Sequence, residues 1–255
     1  MKNYKIGENK LSVDIVEEII SNETVISLSS FSKKKVKSSN NYLLKKIKSD
    51  NNPIYGINTG FGSLYNHKIS NNELSKLQKN LVVSHACGVG EEVPSELVKI
   101  ILLLKIQSLS FGNSGVNIKT IQRLIDMYNN DILPIIYEQG SLGASGDLAP
   151  LAHMSLPLLG LGDVEVSNNP KYKKYDRIKS SKILKDMGWD ILSLGPKEGL
   201  ALLNGTQFMG AYGVWCLVKA KKLSYIADLI SAISLDAFDC RKDPFDRLIH
   251  VLRPH

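Results

Sequence analysis

Residues 140–154 read GSLGASGDLAPLAHM, and inside that stretch Ala144, Ser145 and Gly146 are three consecutive small residues of the kind a backbone needs in order to cyclise on itself. The nitrogen of Gly146 can approach the carbonyl carbon of Ala144 because glycine carries no Cβ and tolerates unusual dihedrals. Loss of the Ser145 hydroxyl as water after ring closure then leaves an exocyclic methylene. The product, a methylidene-imidazolone, is an electrophile that no ordinary side chain offers. Asp147 begins a helix with Pro150 in its opening turn, so the ring faces a helix N-terminus, where partial positive charge favours electron-rich groups. Taken alone, the tripeptide is more simply an ordinary turn leading into a capped helix. Spacing excludes two other chemistries: a nucleophile elbow needs glycine where Asp147 stands, and a P-loop needs Gly-Lys-Ser/Thr after its first glycine.

Three further places hold side chains that could take part. Tyr55 stands in IYGINTGFGSL, a glycine-rich, aromatic stretch with neither helical nor strand periodicity, so its phenol can be presented to a pocket as a proton acceptor or donor. A packed turn aromatic is the simpler alternative. Ser84 and His85 lie in NLVVSHACGVG at the end of a helix, where a histidine commonly serves the free carbonyls and the dipole. Asn204, in ALLNGTQ, is spaced to cap the next helix with Gln207 as its capping-box partner. No metal site is expected: Cys87 beside His85 gives two ligands without a third or fourth, and His153 reads as a packed histidine.

The elements that must position these groups are mostly helical. Ser12 precedes VDIVEEII, and a second helix runs through the lysine-rich segment to about Ile47. Ser70 and Glu73 form a capping box opening a helix that stops near Gly88. Pro94 opens PSELVKIILLLKIQSLSFG, apolar nearly all round and therefore buried, and Asn117 caps the amphipathic IKTIQRLIDMYNN. Residues 160–179 alternate as VEV and KYKKY around Asn168, Asn169 and Pro170, which reads as a surface β-hairpin. From Gly205 to about Phe238 a single proline-free helix is expected, long enough to suggest a bundle shared between subunits.

Composition narrows the function classes. At 255 residues and 43% hydrophobic, the chain can bury a substantial core. Its net charge of +7 comes from scattered lysine clusters at 33–37, 45–48 and 171–174 without interleaved aromatics, which argues for solvated surfaces and against a nucleic-acid partner. No window reaches ~18 uninterrupted apolar residues and the N-terminus lacks an apolar signal core, so neither a membrane span nor secretion is expected. Three widely spaced cysteines, Cys87, Cys216 and Cys240, fit a reducing cytoplasm.

The strings YGINTGFG, NLVVSHACGVG, GSLGASGDLAPLAHM, ALLNGTQ and FDRLIHVLRPH, the last carrying Arg253, follow one another in the order in which they occur in the aromatic amino acid ammonia-lyases. The chain most resembles the histidine ammonia-lyases, and it resembles their N-terminal half. That resemblance implies a mainly α fold of the aspartase/fumarase superfamily. Residues 1–195 would form an N-terminal domain carrying the electrophile and the catalytic loop, and residues 196–255 the beginning of a central helical bundle. It implies elimination of ammonia from L-histidine to give urocanate, through a 4-methylidene-imidazol-5-one (MIO) formed autocatalytically from Ala144, Ser145 and Gly146, with no external cofactor. Tyr55 takes the β-proton, His85 and Asn204 position the reacting groups, and Ser84 with His85 selects a substrate whose ring edge is polar. The family's second half supplies a further tyrosine, a carboxylate-binding arginine and a glutamate; Arg247 and Arg253 do not match that arginine's motif. A homotetramer, or association with the missing C-terminal half, is the implied assembly. The alternatives are an MIO-dependent aminomutase and an inactive fragment or subunit that assembles with a partner supplying the second half.

Overall fold

The computed structural model describes residues 3–49, 52–167, 175–252 and 254. The hairpin tip, the lysines at 171–174 and Arg253 lie outside the described residues. The chain forms two compact units, Met1–Val214 and Trp215–His255. In chain order the elements are β1 (Asn3–Ile6), α1 (Val13–Ser21), β2 (Val25–Leu28), α2 (Ser30–Ser49), α3 (Leu74–His85), β3 (Val89–Glu92), α4 (Ser95–Ser110) and α5 (Ile118–Asn129). There follow β4 (Ile132–Pro134), β5 (Tyr137–Gln139), α6 (Leu148–Ser155), β6 (Asp163–Val166), β7 (Asp176–Lys179), α7 (Ser180–Asp186), α8 (Glu198–Leu203), α9 (Gln207–Ala237) and α10 (Arg247–Val251). The architecture is mainly α, as the sequence implies.

The first unit is built around α4. A helix with apolar residues on every side must be covered on every side, and Leu97, Ile101, Leu102, Leu103 and Ile106 are all buried, with α2, α5 and β4 packed around them. Helix α5 begins as expected, the Asn117 side chain accepting from Lys119 N at 2.9 Å, and α1 begins at Ser12, whose hydroxyl accepts from Ile15 N at 3.3 Å. The two strands of the expected hairpin are β6 and β7, which pair antiparallel with Asp163 opposite Lys179, and β4 joins them on the other edge of β6. In the second unit Leu223, Ile230, Ile233 and Phe238 are exposed apolar side chains.

Two local expectations are corrected. Asn204 does not cap the long helix: it terminates α8 in an extended conformation, φ −83 and ψ 129, and α9 starts at Gln207, whose side-chain oxygen accepts from Lys105. Ser70 and Glu73 do not form a reciprocal capping box. The Ser70 hydroxyl donates to the Glu73 carboxylate at 2.8 Å, and residues 71–73 make a 3-10 turn before α3 begins. The sequence patterns also gave no sign of the parallel pair β1–β2 or of the antiparallel pair β3–β5.

Candidate active site

The segment 144–146 forms a tight turn against the junction of α8 and α9. Gly146 has φ +105, a region side chains rarely adopt, and a Cβ built on it would lie 2.6 Å from Gly205 O. Glycine is therefore required here twice, for its dihedral and for the space. The next peptide locks the approach: Asp147 N donates to Gly205 O at 2.8 Å, while the Asp147 carboxylate accepts from Met209 N at 3.0 Å. Asp147 is buried and leaves the first turn of its own helix α6 without a side-chain cap, serving α9 instead. Gly146 N is turned back along the chain, donating to Gly143 O at 3.4 Å, and Ser141 Oγ donates to Gly146 O at 3.2 Å. Ala144 and Ser145 are exposed and Gly146 is partly so.

Behind this turn sits a cation that sequence reasoning missed. Lys105 on α4 is 1% exposed, and its Nζ donates to Asn204 O at 3.0 Å and to Gln207 Oε1 at 3.4 Å. Burial pushes its pKa down from 10.5 to about 7, against the opposing pull of the Asp147 carboxylate. The available signal was a lysine in the middle of the buried run of α4, with Leu102, Leu103 and Ile106 around it.

Helix α3 brings Ser84 and His85 to its last turn. His85 Nδ1 lies 2.8 Å from Leu81 O and 3.2 Å from Ser84 Oγ, and Ser84 Oγ donates to the same carbonyl at 3.2 Å. A carbonyl oxygen only accepts, so Nδ1 carries the proton and Nε2 of the neutral ring is an acceptor. Just beyond, Gly88 N donates to Nε2 of His153 at 2.9 Å, and the His153 ring meets Tyr137 edge-on at 5.2 Å. His153 is thus the packed, hydrogen-bonded histidine expected, and burial lowers its pKa.

Helix α8 ties these parts together. Its Leu200 N donates to Gln78 Oε1 of α3 at 3.3 Å, and a Cβ on Gly199 would lie 2.7 Å from Gln78 O. Leu200 also fills the space beside Gly56, where a Cβ would meet its Cδ2 at 2.4 Å, so the loop carrying Tyr55 rests on the same helix. Asn58 staples that loop, accepting from Ile54 N at 2.6 Å and donating to Asn52 O at 3.0 Å. Tyr55 itself is 58% exposed and stacks edge-on with Phe61 at 5.9 Å. The 144–146 turn and Asn204–Gly205 are thus in direct contact, whereas Tyr55 and the Ser84–His85 pair join them through α8 and α3. An open groove of about 510 Å³ runs beside the turn, lined by Glu138, Ser141, Leu142, Gly143, Asp147, Pro150, Phe208, Met209 and Tyr212. Burial and the neighbouring Glu138 raise the Tyr212 pKa. Among the described residues no cluster of histidine, cysteine and carboxylate side chains is placed to hold a metal, and no helix is long and apolar enough to cross a membrane.

The 144–146 turn is closed by backbone contact with Gly205 and carried on a mainly α scaffold. Residues 11–255 match the family described as aromatic amino acid lyase, and the chain belongs to that family. It is 38% identical over 255 residues to a histidine ammonia-lyase of Caldanaerobacter subterraneus subsp. tengcongensis, covering 100% of this chain and 49% of that protein. With histidine ammonia-lyase 2 of Fusobacterium nucleatum subsp. nucleatum it shares 40% identity over 254 residues, covering 100% of this chain and 48% of the relative. The crystal structure of histidine ammonia-lyase from Trypanosoma cruzi superposes with a TM-score of 0.89 at 31% identity, covering 100% of this chain and 48% of that one. A ligand-bound tyrosine aminomutase superposes equally well, TM-score 0.89 at 30% identity, covering 99% of this chain and 46% of that one. The chain spans about half the length of the curated relatives it matches and aligns with their N-terminal half. Its fold is the aspartase/fumarase-like one of these neighbours.

Proposed function

We propose that this chain is the electrophile-bearing half of a histidine ammonia-lyase, which eliminates ammonia from L-histidine to give urocanate. The observation that carries the reading is the identity to histidine ammonia-lyases along the whole chain, 38% over 255 residues in one case. The turn at 144–146 fits the MIO group: the Gly146 position tolerates no Cβ, and its nitrogen points back along the chain. When formed, that group supplies an electrophilic carbon. Around it Tyr55 removes the β-proton, His85 accepts the imidazole N–H at Nε2, and Asn204 holds ring and substrate. Residues 1–195 carry the electrophile and the catalytic loop, and residues 196–255 begin a central bundle. The exposed apolar residues of α9 support association with further copies or with the C-terminal half. Three exposed free cysteines support a reducing, cytoplasmic setting.

The aminomutase alternative has equal support from the fold, so the product decides between them. Fusing this chain to the C-terminal half of the Caldanaerobacter relative and supplying L-histidine should yield urocanate. A β-amino acid product would assign the aminomutase. The chain alone should be inactive, since the carboxylate of the substrate needs a paired-donor arginine and none here matches the family's. Robust urocanate formation by the 255-residue chain would overturn that statement.

A further inference from the structure

We propose that Lys105 is a positioning residue for the ring-forming turn: its buried ammonium grips the Asn204 carbonyl and so holds the Asn204–Gly205 peptide where Gly146 and Asp147 close upon it. The inference rests on the reading of residues 144–146 as that turn. The geometry is a closed circuit. Lys105 Nζ donates to Asn204 O at 3.0 Å. The next carbonyl, Gly205 O, accepts from Asp147 N at 2.8 Å and lies 2.6 Å from where a Cβ of Gly146 would stand. The Asp147 carboxylate accepts from Met209 N at 3.0 Å in the first turn of α9, and Gln207, two residues earlier, returns its side-chain oxygen to Lys105 at 3.4 Å.

The energetics point the same way. An ammonium at 1% exposure is a costly way to fill space in a helix whose neighbours are leucine and isoleucine, and an apolar side chain of similar volume would avoid the desolvation. Its two acceptors are neutral oxygens from the α8–α9 junction, and the charged group acting on it is Asp147 at the start of α6. Lys105 and Asp147 therefore hold different atoms of one short segment, Asn204 O and Gln207 Oε1 for the lysine, Gly205 O and Met209 N for the aspartate. The Asn204–Gly205 peptide lies between two helices, since α8 ends at Leu203 and α9 begins at Gln207, and α8 reaches it through the bond from Asn204 N to Leu200 O. Without the lysine, Asn204 N keeps its bond to Leu200 O at 2.9 Å and Gly205 O keeps Asp147 N, but the Nζ contact that orients the Asn204 carbonyl is lost.

The test uses the full 255-residue chain and two variants, Lys105→Met and Lys105→Arg. Amide exchange at Asp147 reports the Gly205 contact whether or not the ring forms. In Lys105→Met it should speed up by at least about ten-fold while the β6–β7 amides keep their protection, and Lys105→Arg should restore it. Intact mass, followed over time, should show slower loss of two waters in Lys105→Met than in the wild type. Should Lys105→Met fail to fold, the wild type still decides: the Asp147 amide shift should titrate between about pH 6 and about pH 8 as Lys105 loses its proton. Unchanged Asp147 exchange in Lys105→Met, an Arg variant as damaged as the Met variant, or a flat Asp147 titration would each overturn the positioning role. A wild type that keeps Ser145 intact refutes the ring-forming turn instead, and leaves the amide result to judge Lys105 on its own.

Discussion

Replacing Gly146 by alanine, with Gly143→Ala as its control, separates the two demands the turn makes on glycine. Both residues have positive φ, +105 at Gly146 and +78 at Gly143. They differ in their surroundings, for nothing lies within 4 Å of a Cβ at Gly143, whereas at Gly146 that atom meets Gly205 O at 2.6 Å. Ordinary contact begins at 3.4 Å, so the oxygen must retreat by about 0.8 Å, the difference between the two distances. Such a retreat stretches the 2.8 Å bond from Asp147 N to as much as about 3.6 Å, where it is lost. Backbone strain alone costs about 1 to 2 kcal/mol, and the lost bond adds about 1 kcal/mol plus the clash. Gly146→Ala should therefore lose about 2 to 4 kcal/mol and Gly143→Ala about 1 to 2 kcal/mol. Denaturant unfolding in a Ser145→Ala background, where dehydration cannot contribute, measures both. Equal losses for the two variants would refute the close approach of Gly146 to Gly205.

Three other outcomes follow from the same structure. The Lys105 pKa falls from 10.5 in the unfolded chain to about 7 in the folded one, so between those values the unfolded state binds more protons and stability rises with pH. The stability of the wild type minus that of Lys105→Met should grow by about 5 kcal/mol across that window, and a pH-independent difference contradicts the burial of a titrating lysine. His153 is held below its ordinary pKa by burial, so its contribution is present above about pH 6.5 and is lost as the pH falls through the lower folded value. Replacing it with leucine strands Gly88 N and should cost about 1 to 3 kcal/mol at neutral pH by urea denaturation, with a flatter acid limb. In the fused enzyme, Ser84→Phe with His85→Leu should cut the preference for histidine over phenylalanine by roughly ten-fold to a hundred-fold, read as the ratio of the two kcat/KM values. An unchanged ratio removes the pair from substrate selection.

What the sequence disclosed followed from local rules. Helices α4 and α5 were legible because an all-round apolar run and an asparagine before an amphipathic run each admit one arrangement, and the structure places their starts at Ser95 and Ile118. The turn at 144–146 was legible because three small residues in succession, the last a glycine, suit a tight turn. Strands β1, β2, β3 and β5 were not, since segments of three or four residues carry no period and their partners are remote. Val89 pairs with Gln139, and the Asn129 side chain brackets Ile26 by accepting from its N–H and donating to its carbonyl, both at 2.9 Å. The Asn204–Gln207 spacing imitates a capping box, yet both residues give an oxygen to Lys105 about a hundred positions earlier in the chain, a tertiary contact no local pattern contains. Glu198 was silent for the same reason. Its buried carboxylate fastens the start of α8 by accepting from Asn117 N at 2.8 Å, Thr120 Oγ1 at 2.7 Å and Gly195 N at 2.6 Å.

Ala144, Ser145 and Gly146 are proposed to become the electrophile of a histidine-deaminating enzyme. The direct measurement is a peptide map, by mass spectrometry, of this chain fused to the C-terminal half of the Caldanaerobacter relative, taken from the preparation whose urocanate production has been assayed. The expected result is a peptide spanning residues 140–154 that has lost two waters, together with urocanate formation that disappears in Ser145→Ala. An active preparation whose peptide keeps the Ser145 hydroxyl and its unmodified mass would contradict it.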